Sequence, residues 1–184
     1  MATSTLSPGA ASSDATQAGT AWAAVGATIL ADVQATGGTR AAAALVSAQS
    51  QYLRCSNFAF ALPSNAVIDG IQVRIEKSIT AGAGTVDDTA IYLVRRGIIM
   101  SSANNKEAQG TAWTGTDAYS TYGGTSDLWG IPWTAEELNR YDFGVVFTCT
   151  ATGTATASVD HVEVIVSYTS GYLASPQVQE SGQI

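Results

Sequence analysis

Catalysis needs a nucleophile, an acid or base, or a metal ligand held in company, and this chain supplies few of these. His161 is its one histidine. Asp160 precedes it, but adjacent residues on a strand point to opposite faces, so the two form no catalytic dyad. The expectation is a solvated strand histidine. Cys55 and Cys149 both sit in strand-like runs and read as small buried hydrophobes. One cysteine pair in a chain of this size is not a secreted disulfide framework. Asp87 and Asp88 follow a turn and could join Asp127 around a hard cation, yet such an ion needs six or more oxygens. Glu136 and Glu137 fail as a glycosidase pair, because neighbours on a helix diverge by about 100°. The sequence has no Gly-x-Ser-x-Gly elbow and no phosphate-cradling glycine loop before a helix. No catalytic, cofactor or metal residue is therefore expected. The binding candidates are the aromatic residues Trp113, Tyr119, Tyr122 and Trp129, whose rings could stack on sugars or meet a protein partner. The competing reading is that Trp129, Ile131 and Trp133 plug the open end of a sandwich.

The elements that must carry these residues are mostly strands. From Ile71, the residues Ile71, Val73, Ile75 and Ile79 fall on one face, with Lys77 the one polar intruder, while Gln72, Arg74, Glu76 and Ser78 fall on the other. That period of two predicts one wall of a half-buried antiparallel sheet over 67–79. Further strands are predicted at 31–36, 52–62, 89–96, 98–101, 141–150 and 158–169. Residues 22–30 are ambiguous, with a helical turn as one option, and the alanine-rich stretch 40–50 fits either helix or strand. Residues 113–130 read as a long loop. Thr134-Ala-Glu-Glu137 is a capping box, which opens one short helix flanked by Trp133 and Leu138 as a hydrophobic staple. Seven or eight strands with one short helix predict an all-β fold, an antiparallel β-sandwich of jelly-roll type.

A chain of 184 residues is one domain by length and buries roughly 70% of its unfolded surface. Charged residues make up only 12%, about half the usual share. Either much of the surface faces other protein, or the chain is a soluble Thr-rich sandwich. A net charge of −7 with eight scattered basic residues offers no footprint for nucleic acid or an anionic membrane. No apolar run reaches the ~20 residues that span a bilayer. The N-terminus lacks the basic-then-apolar pattern of a signal peptide, which makes the cytoplasm the expected site of synthesis. Residues 1–19 read as an extended N-terminal arm, 20–170 as the sandwich domain and 171–184 as a C-terminal tail. Both ends are polar and small, and neighbouring subunits are expected to order them.

Two strings resemble tailed-bacteriophage virion proteins. The first runs from Tyr52 through Phe58-Ala-Phe-Ala-Leu-Pro63 to Ala66-Val-Ile-Asp-Gly-Ile-Gln-Val73. It is similar to an "F-x-F-x-I-P-x-x-A-x-I-x-G-I-x-V" pattern that joins two sandwich strands in that group. The second, Tyr122-Gly-Gly through Trp133-Thr-Ala-Glu-Glu-Leu-Asn139 to Phe143-Gly-Val-Val146, is similar to a Tyr-Gly-Gly loop, a short helix and an "F-G-V" strand in the same order. The resemblance covers roughly residues 50–170 and includes the closing Val159-Asp-His-Val-Glu-Val-Ile-Val-Ser-Tyr168; the Asn-Pro that often follows the tryptophan near Trp22 is absent. It implies a structural, non-enzymatic role. The expected role is capsid decoration or cement, binding the major capsid protein on the outer shell across capsomer junctions as a homotrimer, without cofactor, nucleic acid or membrane. A tail or fibre component, or a carbohydrate-binding module for host attachment, are the alternatives.

Overall fold

The computed structural model describes residues 1–103, 105–109 and 113–171. Two antiparallel sheets pack face to face as a jelly-roll β-sandwich, the fold class that the alternating strands predict. The strands are β1 (Ala2–Leu6), β2 (Ala10–Asp14), β3 (Ala23–Ala24), β4 (Ala41–Val46), β5 (Tyr52–Ser56), β6 (Ala66–Gly82), β7 (Thr85–Arg95), β8 (Ile98–Ile99), β9 (Ala118–Gly123), β10 (Gly144–Thr152) and β11 (Thr154–Ser170). Two short helices, α1 (Ile29–Val33) and α2 (Ala135–Leu138), lie between them. The six-stranded sheet runs β3-β4-β11-β6-β9, with β1 also on β11; the five-stranded sheet runs β2-β5-β10-β7-β8.

The spine is the pair β6 and β11, which stay in register from Ala155 opposite Gly82 to Ser170 opposite Ala66, with shifts at three points. The other edge of β11 is covered in relay. β4 pairs Thr154–Val159, Gln34 bridges His161, and β1 pairs Val164–Tyr168. Val162, Val164 and Val166 of β11 and Ile71, Val73 and Ile75 of β6 turn inward. They meet Val145, Phe147 and Cys149 of β10 and Ile91 and Leu93 of β7 in one continuous core. Phe58, Phe60 and Phe143 close one end, with ring centroids 6.1 Å apart in each pair.

Several sequence expectations are corrected. Residues 1–19 are not an arm: β1 joins the six-stranded sheet and β2 joins the five-stranded one, on β5. Small polar residues leave no hydrophobic signature, but their backbone groups saturate edges that would otherwise stand bare. Of the tail expected at 171–184, all but Gly171 lies outside the described residues. The strand expected at 31–36 is α1 instead. Thr28 caps it by accepting from Ala31 N, and the buried Asp32 carboxylate gathers Val25 N, Gly26 N and Thr39 Oγ1. The stretch at 40–50 resolves as a strand over 41–46. The strand at 52–62 stops at Ser56, where Asn57 and Ala59 take positive φ and swing Phe58, Phe60 and Leu62 inward. The loop at 113–130 contains β9. The capping box forms as read, Thr134 Oγ1 accepting from Glu137 N while Glu137 Oε2 accepts from Thr134 N.

Candidate functional site

Of the four aromatic candidates, only Tyr119 stands partly in solvent, because β9 alternates Ser120 and Tyr122 inward against Tyr119 and Thr121 outward. Trp113, Tyr122 and Trp129 are buried in the core. Trp129 Nε1 donates to Ile71 O at 2.8 Å, and the Trp113 ring stacks on Phe147 with centroids 6.2 Å apart. Buried rings cannot stack on a sugar, so these three are interior supports and the expectation of glycan or partner contact is corrected for them. Trp133 is buried as well and meets Phe143 edge-on at 5.6 Å.

The interior also holds a polar cluster. Lys77 is the intruder on the inward face of β6, and it meets Asp88 of the opposite sheet. Its Nζ donates to Asp88 Oδ1 at 2.7 Å, to Asp88 Oδ2 at 2.6 Å and to Tyr122 Oη at 2.6 Å. Tyr122 donates to Asp88 Oδ2 at 2.8 Å, and Trp113 Nε1 donates to Asp88 Oδ1 at 2.9 Å. The two charged side chains are only 2% and 3% exposed. Asp88 turns inward through a register shift. Thr148 pairs with Ala90 and Cys149 with Asp88, which leaves Thr89 as an extra bulged residue. Burial drives the Lys77 pKa down against the pull of Asp88, and it drives the Tyr122 phenol up, with Asp88 adding to the rise.

The outer face of the six-stranded sheet is divided. Towards β9 it is charged. Arg74 Nη1 reaches Glu163 Oε1 at 2.5 Å and its guanidinium lies 4.1 Å above the Tyr119 ring. His161 is not solvated; Nδ1 is bonded to Tyr119 Oη at 2.6 Å and Nε2 to Ser7 Oγ at 2.8 Å. Asp160 is the bulge residue beside it and accepts from Gly37 N at 2.6 Å, so no dyad forms. Towards β4 the outward strand residues are uncharged, and the one ion pair beside them among the described residues is Arg40 with Asp117, which also accepts from Ser78 Oγ at 2.7 Å. The cross-strand pairs Ala42 with Ser158, Ala44 with Thr156 and Val46 with Thr154 pave it. Val46 is 69% exposed, and Val25 nearby is 65% exposed. A groove of about 300 Å³ runs past Val25, Ala42, Thr80 and Thr156, with Arg40 at its rim. The β3 partnership covers only Ala41 and Ala42, so among the described strands the far edge of β4 is open over residues 43–46.

A second surface feature surrounds α2. Two adjoining depressions of about 540 and 360 Å³ share Ser64 and Glu136, with Val67, Leu128, Pro132 and Trp133 forming the apolar wall. Asn139 there is committed to the fold, clasping Leu62 N and O at 2.9 Å each.

Other titratable residues pair locally, among them Arg54 with Asp14, Arg40 with Asp117 and Arg140 with Asp142. Asp127 pairs with Lys106 at 2.6 Å, so the aspartates weighed for calcium each hold a lysine or lie apart. Among the described residues no three His, Cys, Asp or Glu gather as metal ligands, and no helix is long and apolar enough to cross a membrane. Cys55 and Cys149 are buried free thiols, and burial pushes both up to about 12. Such thiols are poor nucleophiles.

No family model matches the chain, and no curated protein matches it. Solved structures similar to it include the CBM22-1–GH10 modules of Clostridium thermocellum xylanase 10B complexed with xylohexaose, at 9% identity and a TM-score of 0.44, covering 92% of this chain and 28% of that one. The CBM22-1 xylan-binding domain of Paenibacillus barcinonensis Xyn10C is similar at 12% identity and 0.39, over 85% of this chain and 92% of that one. A structure of infectious bursal disease virus Gt strain is similar at 9% identity and 0.32, over 93% and 34%.

Proposed function

We propose that this chain is a non-catalytic β-sandwich that works by surface adhesion on a bacteriophage particle, as a decoration protein bound to the major capsid protein at capsomer junctions, as a trimer. The observation that carries the reading is a strip of uncharged strand residues on the outer sheet face, where Ala42, Ala44 and Val46 lie beside Thr154, Thr156 and Ser158 along an open strand edge. Interface cores are depleted of charge, and an open edge offers backbone groups to a partner strand. The sequence resemblance to virion proteins supplies the context, and the net charge of −7 argues against nucleic acid as the partner. The N-terminal residues serve the fold, so adhesion is assigned to this face. Quantitative mass spectrometry of purified particles tests the proposal. Many copies per particle, together with fragile shells in particles lacking the chain, support it. A few copies confined to the tail contradict it.

A carbohydrate-binding role is the second reading, favoured by the depressions around α2. They combine an apolar wall with the polar groups of Ser64, Thr134 and Glu136, a mixture suited to sugar rings and hydroxyls. Calorimetric titration with xylo-oligosaccharides and with host surface polysaccharide, on wild type and Glu136→Ala, tests it. Saturable heat lost in the variant supports sugar binding, and no heat with either class of glycan removes it.

A further inference from the structure

We infer that Lys77 and Asp88 are the two halves of an intramolecular amide cross-link, formed when the Lys77 amine condenses with the Asp88 side-chain carboxyl and ties the two sheets together covalently. The inference rests on the interior cluster alone and is independent of where the protein acts.

Four groups converge on the reacting atoms. Nζ lies 2.7 and 2.6 Å from the two carboxyl oxygens, in a site almost closed to water. Moving one proton from the ammonium to the carboxylate turns the ion pair into a carboxylic acid and a neutral amine, and the neutral amine is the nucleophile. The lowered pKa of buried Lys77 is in keeping with this transfer. A turn of the carboxyl about its Cβ–Cγ bond presents its face to the amine, and Nζ then adds to Cγ.

The Trp113 Nε1–H, which donates to Oδ1 at 2.9 Å before the turn, is the donor placed to meet charge developing on that oxygen. Tyr122 is placed as a relay, since its Oη accepts from Nζ at 2.6 Å while its own hydrogen points to Oδ2 at 2.8 Å. A proton leaving the nitrogen enters the hydroxyl, and the hydroxyl's proton passes to Oδ2, which departs as water. One N–C bond forms, one C–O bond breaks, and one water is released. Nothing is oxidised or reduced, and no cofactor is consumed. Groups held in contact in this way react with effective molarities of about 10⁵–10⁸ M, which replaces the activation that amide synthesis needs in free solution.

The sequence offers a direct readout. Trypsin cuts after Arg74, Lys77 and Arg95, and Lys77 and Asp88 both fall between Arg74 and Arg95. In the cross-linked protein the enzyme no longer cuts after Lys77, and the peptide Ile75–Arg95 appears one water lighter than its sequence, with fragment ions locating the loss to a Lys77–Asp88 bridge. Cleavage after Lys77, with the Asp88 peptide at full mass, overturns the inference. A cyclic imide at an aspartate also loses water but leaves Lys77 open to trypsin, so a light peptide beginning at Ser78 overturns it equally. Lys77→Arg is expected to be cut after position 77 and to give the peptide Ser78–Arg95 at full mass. Tyr122→Phe is expected to leave most of the protein unlinked, and complete linkage in that variant overturns the relay role.

Discussion

Lys77 and Asp88 belong to different sheets and meet in the middle of the sandwich, the lysine reaching both carboxyl oxygens and the Tyr122 hydroxyl at once. Their meeting depends on a bulge at Thr89 in one sheet and on strict alternation in the other.

Removing one partner strands the other in the core. Lys77→Met is expected to destabilise the fold by about 3–5 kcal/mol, the usual result of leaving a buried charge uncompensated. The double change Lys77→Met with Asp88→Leu removes the stranded carboxylate and is expected to recover the part of that loss that the uncompensated charge causes, while the part due to the missing cross-link remains. Urea unfolding of the three proteins checks the pattern, and equal losses in the single and double variants contradict it.

The buried aromatics are expected to behave as core residues. Trp113→Ala deletes a large ring between Phe147 and Lys77 and is expected to cost about 3–5 kcal/mol. Thermal melting checks this. A variant with unchanged melting temperature contradicts the interior placement.

The capping box is expected to contribute a smaller amount. Thr134→Ala removes the acceptor for Glu137 N and is expected to cost about 1 kcal/mol. Urea titration resolves it, and a loss as large as that of Trp113→Ala contradicts a purely local role.

Acid sensitivity has a defined sign at Glu137. Burial raises its pKa, but the Arg95 ion pair and the Thr134 backbone and side-chain bonds outweigh burial and hold it below the ordinary value of 4.5. A carboxylate with a lowered native pKa stabilises the fold fully above its unfolded value, and the contribution fades as pH falls through the native one. The stability difference between wild type and Glu137→Gln is therefore expected to be largest at neutral pH and to shrink below about 4.5 as the carboxylate protonates. A difference that grows in acid contradicts the assignment.

A charge on the uncharged strip is expected to spare the fold and harm adhesion. Val46→Asp alters an exposed side chain, so stability is expected to move by no more than about 0.5 kcal/mol. Binding to particles is expected to fall by about tenfold or more, which corresponds to about 1.4 kcal/mol. Sedimentation with particles lacking the chain measures it, and unimpaired binding removes this face as the contact.

The fold was legible where side chains alternate cleanly. Ile71, Val73 and Ile75 mark the inward face of β6, Lys77 on the same face announces a polar group in the core, and Thr134 with Glu137 announces α2. Legibility failed where backbone geometry overrides the pattern. Alternation backward from Ile91 would place Thr89 and Asp87 inside, and only the bulge turns Asp88 inward, so the Lys77 partner could not be read from spacing. β1 and β2 went unread because Thr3, Ser4, Ala11 and Ser12 carry no hydrophobic contrast, although their backbones complete both sheets. The binding candidacy of Trp113, Tyr122 and Trp129 fails because an aromatic cluster reads alike whether it faces a ligand or a core, and burial supports the competing reading in which Trp129 and Trp133 fill the interior. The parity of β9, with Ser120 and Tyr122 on one side and Tyr119 and Thr121 on the other, held the signal that separates them.

The most direct test of adhesion through the sheet face is to label the chain and image particles carrying it by electron microscopy. The account predicts density repeated over the shell at capsomer junctions, with the face that carries Val46 and Thr156 turned towards the capsid. Label found only at the tail tip, or none on particles whose host polysaccharide the chain binds, would contradict it.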